Sequence, residues 1–292
     1  MLKKIMKYEW KNTAKLGRVL LLAILIVTVL GAIVLQTPMF YRLFDEANGM
    51  NVINLMTLMM GGFSFVFYVI LLLGAMYGML VFVGIHFFKT MYGSEGYLSN
   101  TLPVSSHNLL FGKVFVSGVW LLLMEAVAMM SGAVLLLSLG WGLVHGDNPD
   151  MSLWQFMREA VQAFVTLVKE GTFDGLHLGG WMTYIFAVAV ISPFISVMNL
   201  FGSLTIGQLS RKYKLMVGIL TYIGLMIAQS VIQSFVSSFG MANSLQKIYD
   251  GTMTSTIPFL GNSATNFMTS VAIAVIMYFV SHHIITNKLN LE

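Results

Sequence analysis

The chain has no cysteine among its 292 residues. That excludes a disulfide framework, a thiol nucleophile, an iron–sulfur cluster and a thiolate zinc site. Charge is scarce as well: 10% of residues are Asp, Glu, Lys or Arg and 57% are hydrophobic, whereas an ordinary soluble domain carries about 25% charged residues. A water-soluble fold could not hide that much apolar surface. Nucleotide and metal motifs are missing too. The one Gly-Lys pair, Gly112-Lys113, is followed by Val114 and lacks the Ser or Thr of a phosphate-binding loop. No H-E-x-x-H occurs, and the six histidines show no helical metal-ligand spacing, so no cofactor is expected on this chain.

What is present is a series of long apolar runs. A helix needs roughly 20 apolar residues to cross the hydrocarbon of a bilayer, and six runs qualify, at about 19–35, 61–88, 113–143, 181–206, 215–235 and 267–285. The expected fold is therefore all-α, a polytopic membrane protein with a single transmembrane domain over residues 1–292. The basic N-terminus resembles a signal peptide in charge, but no small-residue cleavage site follows the first apolar run at Gln36, Thr37 and Pro38. The first run reads as a retained span. Three apolar pieces are expected not to span: 51–60, set off by a break at Gly61-Gly62; 152–170; and a patch around Ile257-Pro258-Phe259-Leu260 within a mixed stretch, 237–265.

The piece at 152–170 places Leu153, Trp154, Met157, Val161, Phe164, Val165 and Val168 on one helical face. It reads as an amphipathic helix on the outer side, with Ser152 and Gln155 as a capping box and Gly171 as its terminator. Ser105 and Ser106 are candidate starts for the third span, and Pro193 is expected to kink the fourth near Ser192.

Orientation follows from Lys and Arg. With the N-terminus inside, Lys3, Lys4, Lys7, Lys11, Lys15, Arg18, Lys89, Lys113, Arg211, Lys212, Lys214 and Lys288 share one side, against Arg42, Arg158, Lys169 and Lys247 on the other. The positive-inside rule puts the richer side, and both termini, in the cytoplasm. The net charge of +4 thus follows membrane orientation and calls for no nucleic-acid partner.

Polar residues inside spans are candidate pathway or helix-packing positions. Glu125 is the one acidic residue well inside a span, and a charge there costs about 2.5–3.5 kcal/mol on insertion scales, so it should face protein or a water-filled path. Asn199, Gln229 and Gln233 lie in the fourth and fifth spans, and the two glutamines share a face at i, i+4. Both roles, path lining and hydrogen-bonded packing, stay open for these four. The 23 methionines read mainly as lipid-facing packing.

The most specific segment is FFKTMYGSEGYLSNTLPVSSHNLLFGK, residues 87–113 between the second and third spans. Physically, a turn at Gly93, apolar Tyr97, Leu98 and Leu102 and a stop at Pro103 suit a short helix across the cytoplasmic span ends. The segment resembles the corresponding loop of bacterial permeases of the type-2 ABC exporter (ABC-2) family, through Glu95, Gly96, Tyr97, Leu98, Thr101, Leu102, Pro103, Val104, Ser105, Leu109, Leu110 and Lys113. The resemblance implies a coupling helix, with Glu95, Gly96, Tyr97, Leu98, Thr101, Leu102 and Pro103 contacting a separate ATPase subunit. It further implies ATP and Mg on that partner, a second permease copy or related chain, and residence among the lipids of the bacterial cytoplasmic membrane. The chain itself would be no enzyme but the path for a hydrophobic or amphipathic cargo such as a peptide, lipid-like molecule or drug. A membrane transporter not coupled to ATP, or a membrane sensor or immunity protein against antimicrobial peptides, would have a similar composition.

Overall fold

Long apolar stretches form helices because a backbone polar group left unpaired in hydrocarbon costs several kcal/mol, and a helix pairs all but its ends. The computed structural model describes residues 2–35, 52–93, 96, 105–147, 150–173, 176–249 and 259–287. Among these, the helices are α1 (Leu2–Leu35), α2 (Val52–Tyr92), α3 (Ser106–Asp147), α4 (Leu153–Glu170), α5 (Leu178–Gly207), α6 (Lys214–Tyr249) and α7 (Phe259–Asn287). Extended structure among the described residues is confined to a two-residue antiparallel ladder between α4 and α5, with β1 (Thr172–Phe173) paired to β2 (Leu176–His177).

All helices except α4 are long and apolar enough to cross a membrane. Their outward faces are apolar as well: Phe63 and Leu136 are 72% exposed and Phe186 is 71% exposed. Water would penalise so continuous an apolar surface, and lipid does not. The architecture is that of a multi-pass membrane protein.

One sequence expectation needs correction. No break occurs at Gly61-Gly62, because α2 runs through the pair as one helix from Val52. A glycine inside a helix costs about 1 kcal/mol relative to alanine in water, but it keeps its backbone N–H, and opening the hydrogen-bond ladder in an apolar setting costs more. At about 1.5 Å per residue α2 is about 60 Å long, twice the roughly 30 Å hydrocarbon core, so it tilts or extends beyond it. The mixed stretch 237–265 holds the end of one helix and the start of the next. Helix α6 continues to Tyr249 and α7 begins at Phe259, while Ile257 and Pro258 lie outside the described residues. Helix α5 is continuous through Pro193, which is buried.

Local capping explains several helix ends. The Ser105 side chain accepts from the Asn108 amide at 3.4 Å, capping α3. Before α4, the Gln155 amide donates to Ser152 Oγ at 3.3 Å and the Ser152 amide donates to Gln155 Oε1 at 3.0 Å, completing the reciprocal box. Gly171 closes the helix by donating its N–H to the Leu167 carbonyl at 2.8 Å. Helix α4 has no buried residue.

Contacts divide the chain into two units. One takes Met1–Thr13, Val81–Val119 and Leu167–Glu292, and the other takes Ala14–Leu80 and Trp120–Thr166. Within the first, α5, α6 and α7 pack on one another, and the turn from α5 to α6 brings two glycines together. A Cβ on Gly207 would fall 2.5 Å from the Gly218 nitrogen and 2.6 Å from its Cα. Only glycine permits that approach. In the second unit, Ser131 Oγ on α3 bonds both Thr28 Oγ1 on α1 and Tyr68 Oη on α2, the latter at 2.7 Å.

Candidate functional site

Two groups of polar side chains stand out in the first unit, one ionic and one neutral. The ionic group begins with Glu9, a lone acid in the basic start of α1. Its carboxylate meets His86 Nε2 on α2 at 2.8 Å through Oε2, and accepts from Lys113 Nζ on α3 through Oε1. Lys113 also donates to Thr90 Oγ1 at 2.7 Å, and Thr90 in turn donates to the His86 carbonyl at 2.8 Å. The side chains are enclosed: Lys113 is 4% exposed, Glu9 14% and His86 18%. Removing two charges from water is costly, and this geometry repays it by giving the ammonium both a carboxylate and a hydroxyl acceptor.

Neighbouring contacts fix the same end of the unit. Gly112 lets α1 approach α3, since a Cβ there would meet Ile5 Cγ2 at 3.2 Å. Phe87 on α2 stacks on Phe201 of α5 with ring centroids 3.8 Å apart, and Tyr92 Oη bonds Thr205 Oγ1 at 2.7 Å. Tyr278 near the end of α7 bonds His107 Nδ1 at the start of α3, 2.6 Å away. The start of α1, the ends of α2, α5 and α7 and the start of α3 therefore lie together. This is the pairing that an alternating passage through a membrane requires.

The neutral group is a seam across α5, α6 and α7. Asn199 Nδ2 donates to Gln229 Oε1 at 3.4 Å; Gln229 Nε2 and Gln233 Nε2 both donate to Ser270 Oγ, at 2.8 and 2.9 Å; Ser270 donates to the Asn266 carbonyl at 2.9 Å. The i, i+4 spacing of the glutamines thus has a common target on α7. The seam lines a cavity of about 510 Å³ bounded by the three helices. Since Ser270 accepts two amides, replacing it with alanine strands two donors. Double-mutant values for hydrogen bonds in membranes average about 0.6 kcal/mol, so Ser270→Ala is expected to cost about 1 kcal/mol, read as a lowered unfolding midpoint in detergent.

Of the positions singled out from the sequence, Asn199, Gln229 and Gln233 come together. Glu125 belongs to the second unit, where it is half-buried and has a polar interaction of its own. Glu95, Tyr97, Leu98, Thr101, Leu102 and Pro103 lie outside the described residues. Gly96 is described and buried, its N–H donating to the Gly93 carbonyl at 2.8 Å. A Cβ on it would lie 2.6 Å from the Met91 carbonyl carbon, so this position, too, needs glycine. Leu109, Leu110 and Lys113 of the same motif are buried. The sequence reading missed Glu9, His86 and Thr90 as a group, and Asn266 and Ser270 as partners of the glutamines. The available signals were one acid in a basic helix and an i, i+4 pair on α7.

No protein-family model, curated protein or solved structure matches the chain. Among the described residues no cluster of His, Asp and Glu could hold a metal ion.

Proposed function

We propose that the chain is the membrane-spanning subunit of an ATP-driven exporter, working with a separate ATPase that binds at residues 95–103. The observation that carries this reading is the clamp at the base of that loop. Thr90 precedes the loop and Lys113 follows it, their side chains bond each other at 2.7 Å, and Glu9 of α1 holds Lys113 and, on α2, His86. A force applied to the loop would displace the ends of α1, α2 and α3 together. The Tyr92–Thr205 bond extends the connection to α5, which carries Asn199 about two turns away.

In this reading both termini and the loop are cytoplasmic, in a bacterial cytoplasmic membrane, and ATP with Mg is bound by the partner. Closure of two ATPase subunits would draw together the loops of two permease copies, or of this chain and a related one, and shift the spans between arrangements. The Glu95–Pro103 positions supply contact, while the buried clamp supplies stiffness. The cargo is hydrophobic or amphipathic, in keeping with a path of apolar helices and neutral polar groups.

Reconstitution with the cognate ATPase tests the assignment. Tyr97→Ala and Leu98→Ala are expected to bring cargo-stimulated ATP hydrolysis down to its unstimulated rate, with the permease still incorporated in the liposomes. Stimulation that survives both substitutions would count against docking at this loop.

A further inference from the structure

We propose that the cavity between α5, α6 and α7 is a binding site for an uncharged amphiphile whose head donates hydrogen bonds through hydroxyl or carboxamide groups. The cavity volume of about 510 Å³ falls within the roughly 300–1,000 Å³ of small-molecule sites. Its lining carries no Asp, Glu, Lys, Arg or His among the described residues: amides and the hydroxyls of serines and of Tyr184 and Tyr222 face apolar Val188, Ile195, Met226 and Phe267. A charged head would enter without a counter-charge and lose its hydration, so the walls favour neutral ligands.

The hydrogen-bond pattern sets the polarity of the head. Asn199 Oδ1 and Asn266 Oδ1 are buried with no partner among the described residues, and both residues line the cavity. Asn199 is 7% exposed. Their nitrogens are already engaged, Asn199 Nδ2 with Gln229 Oε1 at 3.4 Å and Asn266 Nδ2 with Ser237 Oγ at 3.0 Å. Gln229 and Gln233 spend their amide nitrogens on Ser270. Among its amides, the network thus uses the N–H donors internally and leaves two buried carbonyl acceptors over. Buried acceptors are normally satisfied, and a ligand supplying O–H or N–H groups completes the set while its chain lies on the apolar wall.

This site does not depend on the exporter reading, and probe binding and ATPase coupling are separate measurements. The purified full chain would be titrated by native mass spectrometry with four probes sharing one oleoyl chain: monooleoylglycerol, oleamide, methyl oleate and, at alkaline pH, oleate. The hydroxyl or carboxamide probe is expected to bind about tenfold more tightly than the ester without donors and the carboxylate. The tighter of the two donor probes identifies the source of the head. Asn199→Leu and Asn266→Leu should erase the preference. Ser230→Trp, at an exposed position of the lining, should block all binding to the cavity without touching the buried network. Equal binding of the four probes, or donor-probe binding unchanged by Ser230→Trp, would overturn the proposal.

Discussion

Lys113→Met is expected to destabilise the folded protein by about 3–5 kcal/mol, the usual cost of removing one partner from a buried ion pair. The loss is large because the Glu9 carboxylate would remain enclosed with only His86 beside it, and Thr90 would lose its ammonium donor. Methionine fills much of the lysine volume, so the effect isolates charge from packing. Adding Glu9→Gln to Lys113→Met should recover part of the loss, since the double variant buries no uncompensated carboxylate. The unfolding midpoint of the detergent-purified protein reads both effects. A single variant as stable as the parent would show that the cluster does not hold α1, α2 and α3 together at this end.

Gly207→Val should be the most damaging change in the layer of α5, α6 and α7. The new Cβ would lie 2.5 Å from the Gly218 nitrogen, 2.6 Å from its Cα and 2.6 Å from the Lys214 carbonyl oxygen. All three are backbone atoms, so no rotamer change relieves the clash, and the first turn of α6 must move away. Overpacking costs about 1–3 kcal/mol where side chains can adjust, and here the cost is expected to lie at or above the top of that range. Gly118→Ala is a useful contrast. Its Cβ would meet the ring of Phe194, a side chain that can rotate, so a smaller fall in the unfolding midpoint is expected. Equal effects from the two variants would refute the rigid glycine contact between α5 and α6.

Much of the fold was legible because its strongest signals are local. Twenty apolar residues in a row have few destinations other than a membrane helix. Side-chain caps such as Ser105 and the Ser152–Gln155 box act within three residues, so their sequence spacing carries the geometry. The break expected at Gly61-Gly62 rested on length, because one helix over the whole apolar stretch is about twice the hydrocarbon thickness, but a long helix can tilt or protrude without breaking. The pair stays helical within α2. The neutral seam was half visible: Gln229 and Gln233 announced a shared face, but the residue they meet, Ser270, is set by which helices pack. The ionic cluster was nearly invisible. Glu9 is 77 residues from His86 and 104 from Lys113, and each alone resembles an ordinary residue near a span end.

The same geometry gives the Gly112-Lys113 pair a physical meaning. Gly112 sits where α1 comes close to α3, and Lys113 joins α1, through Glu9, to Thr90 near the end of α2. These two residues close the 87–113 segment in the sequence, and under the proposed function the clamp would pass motion of the docking segment to α1, α2 and α3. Under the proposed function, disrupting the clamp should lower both the unfolding midpoint and coupling, whereas Tyr97→Ala tests the docking contact, with the unfolding midpoint measured beside it. The two routes are separable in a single set of variants.

The absence of cysteine permits a direct test of the proposed partner. Ser99→Cys would give the chain one thiol, within the segment 95–103, for a bifunctional thiol-reactive cross-linker applied to membranes containing this chain and the ATPase proposed as its partner. The expected result is a covalent product with the nucleotide-binding subunit whose yield changes on adding ATP and Mg. A thiol that is reactive from the cytoplasmic side yet forms no such product in either nucleotide state would contradict the assignment of this chain as an ATPase-coupled permease.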